Sequence, residues 1–129
     1  MKKMSLADIA SAVGGRATAD GYIDAAFTDS RNPVEGGLFI ALEGDKFDGH
    51  EFIDKAVEDG AAAVMCRKHT DASVPVIYVD DTKSALIKLA AYYRSTFSIP
   101  VIGLTGSVGK TTTKEMIALV VSSAFKTIK

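Results

Sequence analysis

The sequence predicts an α/β fold, a small mixed sheet with flanking helices, and three observations carry that prediction. Short apolar runs of strand length alternate with longer segments whose apolar residues recur at helical spacing. Polar loops follow the strand-like runs, which is where α/β proteins hold ligands. A last apolar pair, Val101-Ile102, leads into a glycine-rich turn, Gly103 to Gly109, with a helical pattern behind it.

Taken in order, Ser5 is placed to cap a helix in which Leu6, Ile9, Ala10 and Val13 share a face, and Gly14-Gly15 ends it. Ile23, Ala25 and Phe27 alternate with Asp24 and Ala26, the pattern of one half-buried strand. Leu38 to Leu42 is continuously apolar, which predicts a strand covered on both faces. A helix from about Gly49 to Asp59 buries Phe52, Ile53, Ala56 and Val57, with Gly60 in the left-handed position beyond its end. Strands follow at Ala62–Cys66 and, after Pro75, at Val76–Val79. Asp81 then caps a long helix whose stripe of Leu86, Leu89, Ala90, Tyr93 and Phe97 reads as core packing. Ser98-Ile99-Pro100 breaks that helix and sets the domain boundary, with residues 1–98 on one side and 99–129 on the other.

Composition narrows the function. Of 129 residues, 47% are hydrophobic and 24% charged, values of a soluble globular protein. A net charge of −1 gives no basic field for nucleic acid. No run approaches the ~20 apolar residues of a membrane span. Met1-Lys2-Lys3 lacks the apolar stretch of a signal peptide, so a cytoplasmic protein is expected. The single cysteine, Cys66, excludes an internal disulfide and reads as a buried thiol. No metal-ligand spacing is evident, and His69 reads as part of a surface loop, Arg67 to Asp71.

The glycine-rich turn carries the most chemistry. Strand, glycine turn and helix start in that order curl the backbone so that several N–H groups face an anion, and the helix dipole adds to the field. Gly106, Ser107, Val108, Gly109, Lys110, Thr111 and Thr112 are the candidate phosphate cradle for ATP or GTP. Lys110 can reach the β- and γ-phosphates, and the Thr111 hydroxyl can ligate Mg²⁺. The strict P-loop pattern would place glycine where this chain has Leu104; its glycines are Gly103, Gly106 and Gly109. Only twenty residues follow Gly109, so the motif is expected to open a truncated ATPase domain. Its orphan helix, with Met116, Ile117, Val120 and Val121 on one face, is expected to be disordered, to fold back or to pair with another copy.

A second informative stretch is Thr28-Asp29-Ser30-Arg31, directly after a strand. Thr28 and Ser30 can hydrogen-bond a base or sugar, and Arg31 can pair with a diphosphate. Equally, Asp29 and Arg31 can simply brace a turn. Gly44 to His50 is a similar polar loop, in which Asp48 can cap the following helix and His50 reads as a solvated or capping side chain.

Together these motifs resemble the Mur ligases, the ATP-dependent enzymes that build the peptide stem of bacterial peptidoglycan. The resemblance runs through Thr28-Asp29-Ser30-Arg31, Gly37 to Gly44, Phe47-Asp48-Gly49-His50-Glu51-Phe52-Ile53, Ala56, Gly60-Ala61, and Thr105 to Thr112. The family's P-loop also lacks the glycine that Leu104 replaces. Ser107, Val108, Lys114 and Glu115 are similar to the branch that joins D-alanyl-D-alanine to UDP-N-acetylmuramoyl-tripeptide. The neighbouring branch, which adds the third amino acid, is the alternative, and a stand-alone UDP-sugar binding module is another. The resemblance implies a UDP-substrate domain over 1–98 and the start of the ATPase domain over 99–129. It implies ATP and Mg²⁺ as cofactors and an acyl phosphate on the tripeptide as the intermediate attacked by the dipeptide amine. Lys110 and Thr111 become the catalytic pair, with Thr111 on Mg²⁺. Thr28, Asp29, Ser30 and Arg31 hold the UDP end, with Asp48, Gly49 and His50 lining the same pocket. A monomeric full-length enzyme follows from the resemblance, and the 129-residue piece alone is expected to ligate nothing.

Overall fold

A computed structural model describes residues 1–129, and the chain divides into two compact units, Met1–Phe97 and Ser98–Lys129. The first unit begins with β1 (Met4–Ser5) and α1 (Leu6–Val13), then β2 (Arg16–Ala17), β3 (Tyr22–Ile23), β4 (Ala26–Phe27) and β5 (Leu38–Ile40). A hairpin follows, β6 (Glu43–Gly44) and β7 (Phe47–Asp48), then a 3₁₀ turn (Gly49–Phe52) running into α2 (Ile53–Glu58). β8 (Ala63–Cys66), β9 (Val76–Tyr78) and α3 (Thr82–Ser95) complete it. The second unit holds α4 (Lys110–Ser122).

The main sheet has the order β2-β9-β8-β5-β4; β4, β5, β8 and β9 are parallel, and β2 runs antiparallel at one edge. Period-2 side-chain alternation divides its core between two faces. Leu38, Ile40, Ala63, Met65 and Ile77 pack with the buried stripes of α1 and α3. Their neighbours Phe39, Val64, Cys66 and Val76 pack on the other face with Ile53 and Ala56 of α2. Strands buried on both faces read as unbroken apolar runs, and that is why β5 and β8 were legible as strands.

Caps form where the sequence places them. Ser5 accepts from the Asp8 N–H at 3.1 Å, and Asp81 accepts from the N–H groups of Lys83 and Ser84 at 2.9 and 3.3 Å. Gly14 closes α1 at φ 72°, and Gly60 follows α2 at φ 103°.

Four expectations are corrected. The strand over 23–27 is two strands in two sheets: β3 pairs with β1, and β4 with β5. Ile23 and Phe27 lie in cores on opposite faces, whereas a regular strand would put residues four apart on one face, so the chain must break between them. The helix over 49–59 starts as a 3₁₀ turn and becomes α-helical only at Ile53. On α3 the buried residues are Thr82, Ala85 and Leu89, while Ala90 is exposed, one position off the stripe that meets α1. Val101 and Ile102 form no strand and are each 62% exposed. A strand is completed by its neighbour's ladder, and within Ser98–Lys129 no second strand offers one.

Candidate functional site at the carboxyl edge of the sheet

Because β4, β5, β8 and β9 run the same way, the loops leaving them share one edge of the sheet. In open α/β sheets that is where ligands bind. Thr28–Arg31 leaves β4, the β6–β7 hairpin leaves β5, Arg67-Lys68 leaves β8, and Asp80-Asp81 leaves β9.

The β4 loop is organised around Asp29. Its carboxylate accepts from Arg31 Nε and Nη2, both at 2.9 Å, from the Arg31 backbone N–H at 3.0 Å, and from Asn32 Nδ2 at 3.3 Å. The Arg31 hydrogen bonds hold the Asp29 carboxyl down at about 2. Bracing is therefore real, and it presents Arg31 rather than hiding it: the side chain is 86% exposed. Thr28 is half-buried. Ser30 is buried, yet its hydroxyl makes no hydrogen bond within the chain and is not sealed from solvent.

The second loop is more tightly bound than its polar sequence suggests. His50 is neither solvated nor a mere cap, for its side chain is only 8% exposed. Nδ1 lies 2.7 Å from Asp48 Oδ1, and Nε2 accepts the backbone N–H groups of Arg67 at 3.0 Å and Lys68 at 3.2 Å. An Nε2 that accepts two amides carries no proton, so Nδ1 is the donor to Asp48. Asp48 also caps the 3₁₀ turn through the His50 N–H at 3.0 Å and takes a hydrogen bond from Lys68 Nζ. The Lys68 bond, followed by the His50 N–H, holds the Asp48 carboxyl below the usual carboxylate range. Gly49 lies against backbone; an added Cβ would meet the N and O of Leu42 at 2.8 Å, so no other residue fits without movement.

Arg67 and Lys68, expected from sequence only as part of a surface loop, complete this cluster with Glu43, which no local pattern marks. Arg67 grips Glu43 with Nε at 3.1 Å and Nη2 at 2.9 and 3.0 Å. Both cations directly follow a buried strand, the same signal that singled out Thr28–Arg31. The ligating atoms of Glu43, Asp48 and His50 lie within 4.8 Å of one another, as in a metal site. Arg67 and Lys68 already neutralise the two carboxylates, so the charges close without an ion. Beside the cluster, a cleft of about 330 Å³ is lined by Glu43, Arg67 and residues 80–83.

In the second unit, Gly109 takes φ 79° as the residue before α4, a conformation that favours glycine. No side chain caps the helix, which leaves its first-turn N–H groups open to an anion. Lys110 starts the helix and folds its Nζ back onto the Gly106 carbonyl. Ser107, Val108, Thr111 and Thr112 are exposed, and Thr111 makes no side-chain hydrogen bond within the chain.

A two-faced, mostly parallel sheet with polar loops on one edge, followed in the same chain by a glycine-rich helix start, defines an α/β protein. Residues 23–94 match the family described as Mur ligase family, catalytic domain, and the chain belongs to the Mur ligase family. It is 50% identical over 98 residues to the UDP-N-acetylmuramoyl-tripeptide–D-alanyl-D-alanine ligase of Synechocystis, covering 74% of this chain and 22% of that protein. It is 38% identical over 123 residues to the UDP-N-acetylmuramoyl-L-alanyl-D-glutamate–2,6-diaminopimelate ligase of Listeria innocua, covering 94% and 25%. Among solved structures, the ligase of the D-alanyl-D-alanyl type from Acinetobacter baumannii superposes with a TM-score of 0.88 at 34% identity, over 96% of this chain and 29% of that one. MurF of Thermotoga maritima, solved in complex with ADP, gives 0.69 at 38% identity, over 78% and 23%. The chain thus spans less than a third of the length of these relatives. No helix is long and apolar enough to cross a membrane.

Proposed function

We propose that this chain is the part of a MurF-type ligase that holds the UDP end of UDP-N-acetylmuramoyl-tripeptide and begins the ATP site. The reading extends to joining D-alanyl-D-alanine to that tripeptide at the expense of ATP, in the bacterial cytoplasm where the precursor is assembled. The observation that carries it is the presence in one chain of a sheet edge with polar loops in Met1–Phe97 and an uncapped, glycine-led helix at Lys110. The identity to the Synechocystis D-alanyl-D-alanine ligase supports this branch over the diaminopimelate-adding one.

In this reading Met1–Phe97 is the UDP-substrate domain. Arg31, presented by Asp29, pairs with the diphosphate, while Thr28 and the partnerless Ser30 hydroxyl serve the base or ribose. Asp48, Gly49 and His50 shape the same pocket. The open N–H groups from Gly106 to Thr112 cradle the ATP phosphates, and Lys110 exchanges the Gly106 carbonyl for the β- and γ-phosphates. The exposed Thr111 hydroxyl suits Mg²⁺, which takes one or two protein oxygens beside phosphate and water. When bound there, Mg²⁺ neutralises charge on the phosphates. The tripeptide carboxylate takes the γ-phosphoryl group as its bond to ADP breaks, giving an acyl phosphate and ADP; the dipeptide amine then attacks the carbonyl carbon, loses a proton, and phosphate departs. Placement and charge neutralisation carry such a transfer. On its own the 129-residue chain is proposed to hold substrates and not to join them. The test is phosphate release with ATP and both substrates: none is expected, and ATP-dependent release by this chain overturns the assignment of roles.

A further inference from the structure

We infer that His50 is a positioning residue: it locks the β6–β7 hairpin against the exit of β8, so that the hairpin stands as a fixed wall of the nucleotide-sugar site. The inference rests on the reading of the sheet edge given above. The hairpin needs such a lock. Its strands are two residues each, too short to hold themselves, and Glu43 and Asp48 are direct cross-strand partners. Like charges placed opposite one another push a hairpin open. Here both are met from β8, Glu43 by the Arg67 guanidinium and Asp48 by Lys68 Nζ. His50 supplies what the cations cannot. Through Nε2 it binds the amides that carry them, and through Nδ1 it ties those amides to Asp48. At the other end Phe47 stacks on Phe52 at 5.3 Å, which anchors the hairpin tip to the 3₁₀ turn.

The place of the hairpin makes the lock functional. β5 is the neighbour of β4 in the sheet, so the hairpin leaving β5 stands next to the Thr28–Arg31 loop leaving β4. A ligand seated on that loop meets the hairpin as its adjoining wall. Freed from β8, the hairpin loses a fixed position while the two-faced core beneath it keeps every contact.

The test pairs two measurements on the 129-residue chain: calorimetric binding of UDP-N-acetylmuramoyl-tripeptide, and hydrogen exchange of the amides over 43–48. His50→Gln and Lys68→Gln are expected to weaken binding about tenfold, because a displaced wall costs affinity. Both are expected to speed exchange over 43–48 and to leave α1 and α3 protected. Lys68→Arg, which keeps a cation at Asp48, is expected to retain most of the affinity. Faster exchange with unchanged affinity overturns the positioning role and leaves a purely structural lock. Unchanged exchange in both glutamine variants overturns the lock itself. A wild-type chain that does not bind the UDP-sugar overturns the site reading beneath the inference, an outcome distinct from wild-type binding that the variants fail to alter.

Discussion

The two units of this chain solve the problem of order in opposite ways. Met1–Phe97 buries apolar residues on both faces of its sheet, and its polar loops are cross-tied by Asp29, His50 and Arg67. In Ser98–Lys129, α4 has no buried residue, and Met116, Leu119 and Val120 are exposed. Helix hydrogen bonds close within four residues, so the ladder of α4 needs no partner segment. A strand is completed only by a partner, so Val101-Ile102 stays unpaired. Helix and strand thus differ in what they need: the glycine-led helix closes its own hydrogen bonds within Ser98–Lys129, and the strand-like pair before it does not.

The sharpest way to break this contrast is to remove equal volumes from the two units. Ile40→Ala, at a fully buried strand position, is expected to cost about 2–5 kcal/mol in urea unfolding. Leu119→Ala, on exposed α4, is expected to change it by less than about 0.5 kcal/mol. Similar losses at both sites would mean that α4 is packed in solution. Next in size, Lys110→Ala is expected to weaken ATP binding by about tenfold or more, with the melting of Met1–Phe97 unmoved. A fall in melting temperature would tie the two units into one cooperative structure. Gly49→Ala forces a Cβ into the Leu42 backbone and is expected to cost about 1–3 kcal/mol, read in the same urea titration.

The smallest effect concerns pH. Asp29 and Asp48 have folded values below the ordinary 3.8, Asp29 through Arg31 and Asp48 through Lys68. A depressed carboxyl contributes stability above its ordinary value and loses it as pH falls through the folded one. The stability difference between wild type and Lys68→Gln should therefore be constant from pH 7 to 5 and shrink between pH 4 and 2. A difference that grows on acidification contradicts the assigned ion pair. Cys66 offers a control within the core, since burial pushes its thiol up to about 11. It should resist iodoacetamide at neutral pH until the chain is unfolded.

How far the sequence was legible follows from the same physics. Strands covered on both faces, caps at Ser5 and Asp81, and the glycine-led start of α4 rest on local pattern and could be read. The strands Met4–Ser5, Arg16–Ala17 and the Glu43–Asp48 hairpin could not, because two residues carry no period. The β4 loop stands out because it follows a strand, and the structure shows the bracing, with Asp29 holding Arg31 while the Arg31 side chain stays exposed. His50 was misjudged because its partners lie 17 and 18 residues away, at amides that sequence does not mark. Arg67 and Lys68 do lie in an exposed loop, as their polar run predicts; what the sequence does not mark is their pairing with Glu43 and Asp48, 24 and 20 residues away.

The central claim is that the UDP-sugar is held by Met1–Phe97 independently of the ATP site. It is tested most directly by calorimetry of the 129-residue chain with UDP-N-acetylmuramoyl-tripeptide, in wild type, Arg31→Ala and Lys110→Ala. The account predicts binding in wild type, roughly tenfold or greater weakening in Arg31→Ala, and no change in Lys110→Ala. Binding that survives Arg31→Ala but is lost in Lys110→Ala, or no binding at all, would contradict it.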